Sequence, residues 1–445
     1  MKNKIIAMFF YTLLIINPIT YVLSGNNDEN LQNYKLLNES RIVDYNDFKL
    51  IYINGSYYEM GHQHGYLLKD EIKENFRAFL DYTQSLGWDY EFYCYLWDQF
   101  KDYVPEKYLN ELHGISDGSG LSLLNISIQN IMIDWFHCCE AAAWGPATTD
   151  GNLIYIRSFD WPMEMTDPIS GKSIKENQIL MIRNPDNEYA SIEPSLSGFI
   201  GGPGGVNENG VSIGMICSYT LDDIDLSLIE GIPISFRIKM VLDNASNALN
   251  AIKIINSNKT CGYNFIISDV DRAYVTEQNH SMSYNGTWNS NVESNSPFWS
   301  IDHVIRRTNI FINKSLAENQ RKKYNPSIFP LLKTIFKLNP VGYKTSFSSS
   351  TSWLHYFVLS RDIEKIWGKI DLNNSMEMLR NLYNGKTNFR FFLLRKLGVY
   401  IPLHQWVFNS KTGDLLISFA NVEKDACKNY IYDFNIFELM DFMNC

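Results

Sequence analysis

Hydrophobic spacing divides the chain into two parts. From Tyr57 to about Leu86 apolar residues recur at steps of three and four (Leu67, Leu68, Ile72, Phe76, Phe79, Leu80), the period of one helix face. Aromatic-rich segments follow from Tyr90 to Val104, and a second helical stretch covers about Leu121–Phe136. Residues 25–50 read as a polar, weakly ordered lead-in, so the first third is mainly helical. Beyond residue 138 the pattern changes. Runs rich in β-branched and aromatic residues, the composition of strands, fall at 139–144, 153–158, 178–183, 211–218, 263–268, 272–277, 355–359, 403–408 and 414–420. Helical runs return near 232–256, 301–317, 328–337 and 374–383. Many strands with two groups of helices predict layered α+β packing around largely antiparallel sheets. No repeat of roughly 20–50 residues is present, and no linker divides the second part. The boundary that matters is at 137/138.

Composition narrows the class. A chain of 445 residues can bury a large core, as one domain or two. The aromatic share (27 Tyr, 26 Phe, 10 Trp) suits a sheet-rich interior or an apolar ligand site. A net charge of −10 argues against nucleic acid as a partner.

The N-terminus reads as a targeting segment. Lys2 and Lys4 precede an apolar run, Ile5 to Leu23, broken only by Asn17, Pro18 and Thr20. Val22 and Ser24 meet the small-residue rule of a cleavage site. A membrane anchor is the alternative, but Pro18 and Ser24-Gly25-Asn26 favour a removed signal over residues 1–24. No later run is long and apolar enough to span a bilayer. We therefore expect a protein of the secretory pathway, secreted or lysosomal. Asn-x-Ser/Thr acceptors at Asn38, Asn54, Asn125, Asn244, Asn258, Asn279, Asn285, Asn313 and Asn373 agree with that routing and predict glycosylation.

Seven cysteines, Cys94, Cys138, Cys139, Cys217, Cys261, Cys427 and Cys445, leave at least one thiol over in an oxidising compartment. A Cys427–Cys445 clamp would tie down the C-terminal tail. No His/Cys spacing predicts a zinc site, and no cofactor is expected. Attention falls on Cys138-Cys139. The run from His137 to Asp160 has the turn chemistry (Pro146, Asp150, Gly151) and β-formers (Leu153–Ile156) of a hairpin. If its turn is centred near Ala147–Thr149, Cys138 lies opposite Ser158, or Cys139 opposite Arg157, with Asp160 one step on. A thiol, a guanidinium and a carboxylate then share one hairpin end. That is the company a catalytic cysteine needs, because a cation lowers the thiol pKa and a fixed carboxylate orients the partners.

Four features occur in order. They are Tyr58-Glu59-Met60-Gly61-His62-Gln63-His64-Gly65, the Cys138–Asp160 segment, Gly201-Gly202-Pro203-Gly204-Gly205-Val206-Asn207-Glu208-Asn209-Gly210-Val211, and Gly262-Tyr263-Asn264-Phe265-Ile266-Ile267-Ser268-Asp269 followed by Ala273–Glu277. Together they resemble the N-terminal nucleophile (Ntn) hydrolases of the penicillin acyltransferase-like group, with acid ceramidase and the bile-salt hydrolases as more distant relatives. The resemblance runs from about residue 50 to 310.

It implies a four-layer αββα sandwich with two antiparallel sheets between helices. It also implies a precursor that cuts itself before a cysteine, whose thiol becomes the nucleophile and whose own α-amino group becomes the base. Residues 25–137 would form one subunit and 138–445 the other, and the two fragments would stay associated. The family spacing places Trp-Gly six and seven residues after the nucleophile and its Arg and Asp at about +19 and +22. Trp144, Gly145, Arg157 and Asp160 give those offsets from Cys138, with Cys139 as the alternative nucleophile. Arg157 and Asp160 then match the residues that hold the amine and the acyl group. Asn207 and Asn264 match the family's oxyanion region, Asn264 through its side-chain amide. Arg306 or Arg307 corresponds to a second arginine, and His62 and His64 to packing in the pre-cleavage part. The glycine run is no phosphate loop, because no Gly-Lys-Ser/Thr follows.

The expected activity is hydrolysis of a linear amide in an N-acyl substrate, a lipid amide such as ceramide or an N-acylethanolamine among them. The alternatives are an acyltransferase, a phospholipase B-like ester hydrolase, and a non-catalytic secreted binding glycoprotein on the same scaffold.

Overall fold

The computed structural model describes residues 40–85, 87–132, 137–161, 165–218, 220, 230–295, 298–320, 347–384 and 401–442. The leader at 1–24, Asn38, the helical run at 328–337 and Cys445 lie outside the described residues. Ser40–Cys445 forms one compact unit. Two strands open it, β1 (Arg41–Asp44) and β2 (Lys49–Gly55), followed by helices α1 (Tyr57–Leu67), α2 (Lys69–Ser85), α3 (Tyr90–Phe100), α4 (Glu106–Ser119) and α5 (Leu123–Ile131). A hairpin, β3 (His137–Gly145) and β4 (Gly151–Trp161), leads to β5 (Gln178–Pro185), β6 (Ser191–Leu196), β7 (Gly204–Asn207) and β8 (Ser212–Cys217). Helices α6 (Ile234–Asn244) and α7 (Ala248–Ile255) precede β9 (Tyr263–Ser268), β10 (Ala273–Gln278), β11 (Ser283–Gly286) and β12 (Val304–Arg307). The chain continues through α8 (Lys314–Glu318), α9 (Phe347–Ile366), α10 (Leu372–Asn384), β13 (Ile401–Asn409), β14 (Asp414–Phe419), β15 (Tyr432–Asn435) and α11 (Ile436–Phe442).

The strands make a nine-stranded sheet, β1-β2-β5-β6-β7-β8-β9-β10-β11, and a six-stranded sheet, β12-β3-β4-β13-β14-β15. Every pairing is antiparallel except β2–β5. Strand alternation turns these sheets into four layers. On β2 and β5, Leu50, Tyr52, Leu180 and Ile182 join Leu153, Tyr155, Trp406 and Phe408 of the other sheet in one apolar cluster between the sheets. Their neighbours Ile51, Ile53, Ile179 and Met181 face the opposite way, into a cluster with residues of α1 to α7. On the smaller sheet Ile154, Ile156 and Val407 point outward against Leu354, Val358, Leu379 and Leu382 of α9 and α10. The order is helices, sheet, sheet, helices, the four-layer αββα sandwich that the resemblance implies.

Three elements depart from the sequence expectation. Residues 41–55 are two strands of the larger sheet rather than a loose lead-in, so the segment before Cys138 is packed into the sandwich. The run 355–359 lies inside α9, because a short apolar run reads alike as a buried strand or a buried helix. The run 301–317 holds β12 and only then the short α8, since Val304 and Ile305 pair with Ala143 and Ala142 of β3. No described helix is long and apolar enough to cross a membrane.

Candidate active site

The β3–β4 hairpin pairs Cys138 with Phe159, Cys139 with Ser158 and Glu140 with Arg157, with an irregularity at Ala143/Gly145. This is one residue off the register expected from the turn. Strand alternation already puts Arg157 and Asp160, three residues apart, on opposite faces, and the one-residue slip decides that Cys138 rather than Cys139 joins Arg157. Cys138, Glu140, Arg157 and Phe159 share the face turned to the larger sheet. Cys139, Ser158 and Asp160 share the face turned to α9 and α10.

On the inner face Arg157 is fully buried and ion-paired with Glu140. Its Nη2 donates to the carbonyls of Pro203 (3.0 Å) and Met215 (3.1 Å) and stands 3.9 Å from Cys138 Sγ. Glu140 in turn accepts the Ile266 N–H at 3.0 Å. The pair therefore spans from one sheet to the other. It fits because β8 carries Gly214 there, where a Cβ would overlap both Glu140 Oε1 and Arg157 Nη1. The Gly201–Gly205 run reaches the site through Pro203 O. Burial pushes the Cys138 thiol well above its usual range, while Arg157 and the Asp160 backbone act to lower it.

The backbone N of Cys138 donates to Asn309 Oδ1 at 3.1 Å, and Asn309 Nδ2 donates to Cys217 O at 2.9 Å. Asn309 follows β12, two residues beyond the Arg307–Glu140 pair, and so comes level with Cys138. The sequence reading missed it because 301–317 was assigned to a helix. The β-branched Val304-Ile305 pair, four residues before Asn309, was the available signal for a strand there.

Asn264, expected as an oxyanion donor, has its amide nitrogen against Thr308 O (3.0 Å), Ile310 O (2.7 Å) and Ser218 Oγ (3.1 Å). It grips the two carbonyls that flank Asn309 and so positions that residue. Asn207 is not brought to the site. Its Nδ2 donates to Leu242 O and Ala245 O at the end of α6, and its Oδ1 accepts from Asn209 N and Val211 N. It lies toward the hairpin-turn end of the sandwich. There Glu208, Asn209, Asn152, Asp271 and Lys411 line a surface cleft of about 390 Å³, remote from Cys138.

On the outer face Asp160 Oδ1 accepts from Ser158 Oγ at 2.6 Å and Oδ2 from the Tyr383 hydroxyl. Tyr383 Oη is 3.5 Å from Cys139 Sγ and 3.2 Å from His355 Nε2. Burial pushes Asp160 up to about 7 against Ser158, Tyr383 and Arg157, which act to lower it. Burial also raises the Cys139 thiol. The row through Cys138 continues across the inner face as Phe159, His404 and Phe419, with His404 stacked on Phe159 at 5.0 Å.

The remaining expectations fall into place as follows. Arg307 is buried between Glu277 and Glu293. Arg306 faces the opposite side and lies between the rings of Trp299 and Tyr356. His64 is buried, held neutral with a pKa lowered to about 3 by burial, and its Nε2 accepts the Gly198 N–H. Of the acceptor asparagines, Asn244, Asn258, Asn285 and Asn373 are exposed and Asn54, Asn125 and Asn313 half-buried. Asn279 is a correction: it is buried, with Oδ1 closing a turn onto Ser281 and Met282, so a glycan has no room there. Among the described residues no group of three or more His, Cys, Asp or Glu side chains is arranged to hold a metal ion.

Comparison with known proteins adds the family. Residues 148–365 match the family of acyl-coenzyme A:6-aminopenicillanic acid acyl-transferase. The match starts after both cysteines and covers Arg157, Asp160, Asn207, Asn264 and Asn309. Protein dcd1B of Dictyostelium discoideum is 25% identical over 246 residues, 49% of this chain and 47% of that protein. Protein dcd1A of the same organism is 24% identical over 309 residues, 58% of this chain and 67% of that one. The chain thus spans about half the length of dcd1B. Among solved structures, a Caenorhabditis elegans N-acylethanolamine-hydrolyzing acid amidase ortholog superposes with a TM-score of 0.36 at 12% identity, over 67% of this chain and 100% of that one. Penicillin V acylase from Agrobacterium tumefaciens gives 0.35 at 13% identity, over 68% and 87%. Over residues 148–365 the chain thus resembles the penicillin acyltransferase-like family, as its motifs lead one to expect.

Proposed function

We propose that the chain is a self-processing cysteine amidohydrolase, cut between His137 and Cys138, that cleaves the amide bond of N-acyl substrates carrying an apolar acyl chain. The observation that carries this reading is the pair of contacts at Cys138: its thiol toward Arg157 and its main-chain nitrogen on Asn309 Oδ1. While the peptide bond is intact that nitrogen is an amide and cannot act as a base. The cut turns it into an α-amine with an ordinary pKa of about 8, able to take the thiol proton at mild pH. Arg157 then favours the thiolate that burial opposes. The thiolate adds to the substrate carbonyl, the amine leaves with a proton, and water resolves the thioester. Cys138 and Phe159 lie in one buried apolar cluster with Leu196, Phe199 and Ile200, so the surroundings of the thiol are apolar. The matched family is described as an acyl-transferase, which favours a second reading in which another amine resolves the thioester.

The targeting segment expected at 1–24 and the exposed acceptors Asn244, Asn258, Asn285 and Asn373 support routing to the cell exterior or the lysosome. The test is N-terminal sequencing of the larger fragment from native protein, with Cys138→Ala and Cys139→Ala beside it. We expect a new N-terminus at Cys138, lost with its cut and its turnover of N-acyl amides in Cys138→Ala and kept in Cys139→Ala. An N-terminus at Cys139, or turnover by Cys138→Ala, would refute the assignment. Adding a primary amine to the assay separates transfer from hydrolysis.

A further inference from the structure

The carboxylate of Asp160 is held from two sides. Ser158, on its own strand, bonds Oδ1 and is steadied by Gln405 Nε2 at 3.2 Å across β13. Tyr383 bonds Oδ2 from α10, an outer helix, and its oxygen is in turn 3.2 Å from His355 Nε2 on α9. Tyr383 and His355 are both fully buried and their rings meet edge to face at 5.5 Å. The family-matched segment ends at residue 365, before Tyr383.

We propose that Tyr383 is a positioning residue of the amide-cleaving site, fixing the Asp160 carboxylate from the helical layer beside the Cys138 strand end. The proposal rests on the reading of Cys138 as nucleophile. A carboxylate taken out of water keeps its charge only where donors and cations hold it. The groups that face Asp160 are Cys139 on β3, Ser158 on β4, Gln405 through Ser158 on β13, His355 on α9 and Tyr383 on α10, while Cys138 and Arg157 act on it from the opposite face of the sheet. Burial drives its pKa up to about 7, and Tyr383 is one of three groups that oppose this. The charge of Asp160 acts to raise the Cys138 thiol and its backbone to lower it, so both the charge and the seat of this residue are felt at Sγ. A hydroxyl from α10 thereby governs both the charge of Asp160 and the seat of the strand that carries it. Tyr383 touches no reacting atom and acts through Asp160.

Replacing Tyr383 by Phe keeps the ring and removes the donor. Asp160 then holds its proton to higher pH, so the acid limb of kcat/KM moves up by about one pH unit and kcat falls more than KM changes. Placing 3-fluorotyrosine at 383, a stronger donor of nearly the same shape, moves the limb the other way and guards against a Phe variant that folds poorly. An infrared titration of the Asp160 carboxyl in the full-length Cys138→Ala chain, assigned by its loss in Asp160→Asn, reads the same coupling without turnover. Superimposable pH profiles together with an unmoved infrared midpoint overturn the proposal, whatever the variant does to stability. If the wild type cleaves no amide while the infrared midpoint still rises in Tyr383→Phe, the functional reading fails and the Tyr383–Asp160 coupling stands.

Discussion

The site was half legible at the level of single residues. Cys138 and Arg157 follow from offsets along the chain, and the sandwich does bring thiol and guanidinium within 3.9 Å. Asp160 has the right offset but lies on the face opposite Arg157 by strand alternation, and the bulge near Gly145, on which offsets carry no information, decides that Cys138 shares the face of Arg157 and Cys139 that of Asp160. Asn264 was singled out as a polar residue in an apolar strand, which is sound, yet its partners turn out to be the carbonyls around Asn309. The contact between Asn309 and Cys138 joins residues 171 positions apart, which spacing cannot show. His404 presents a different residue-scale case. Both ring nitrogens are buried without a hydrogen-bond partner, and burial together with Arg157 holds the ring neutral. A buried polar group left without a partner costs about 1–3 kcal/mol. His404→Phe keeps the stack on Phe159 and the edge contact with Phe419 while removing that cost. We expect its unfolding free energy in urea to rise by about 1–3 kcal/mol. A fall would mean that the imidazole is bonded in solution.

At the scale of elements, strand runs in the sandwich core were read well because their composition and alternation agree. The helices that flank them were read less well. In α9 the stretch His355–Leu359 is apolar and aromatic without a clear period, so only its packing against the six-stranded sheet decides its form. The glycines of the His62–His64 motif also gain their meaning from a partner element. Gly61 and Gly65 on α1 meet Gly114 and Gly118 on α4, and a Cβ at any of the four would run into the backbone of the opposing helix. Spacing of four in both helices puts each pair on one face, so the backbones approach as only glycine allows. Gly114→Ala should force α1 and α4 apart, since the atom that a methyl group would meet is a carbonyl of Tyr58 that cannot rotate away. Overpacking of this kind costs about 1–3 kcal/mol. The expected readout is a lower midpoint in thermal unfolding, with Ala substitution at Gly151, which has open space around it, as the contrast for a backbone effect alone.

For the whole molecule the question is what would keep two fragments together after a cut at 137/138. The segment before the cut supplies β1 and β2 to the larger sheet and five helices that cover it, so the fragments would share one core. They also share a buried charge cluster. Glu111 on α4 lies 3.3 Å from Arg183 on β5 and 3.4 Å from Lys239 on α6, while Arg183 also meets Asp243 at 2.9 Å. Tyr57 and Tyr108, from the same side as Glu111, donate to Asp243 at 2.8 and 2.9 Å. Removing one member of a buried pair leaves its partner's charge unpaid, at about 3–5 kcal/mol. In a cut chain that loss falls on association. Asp243→Asn, which removes the charge that Arg183 pairs with and that Tyr57 and Tyr108 of the first fragment bond, should therefore make the processed protein separate into two species on dilution or in mild urea during size-exclusion chromatography, while processed wild type elutes as one. Asp243→Asn placed on the uncut Cys138→Ala chain should elute as a single species, which distinguishes loss of association from loss of folding. The same cluster sets the pH range. Burial raises the Glu111 pKa, so protonation on acidification relieves a cost and its contribution to stability grows as pH falls. Asp243 is depressed below its ordinary value although burial opposes this, because Arg183, Lys239, Tyr57 and Lys107 favour its charge. Its contribution is present above the unfolded value of about 3.8 and lost only as pH falls below it. The fragments of the wild type should thus stay together from neutral pH down to about pH 4. Separation already at pH 5 would show that this cluster is not what holds them.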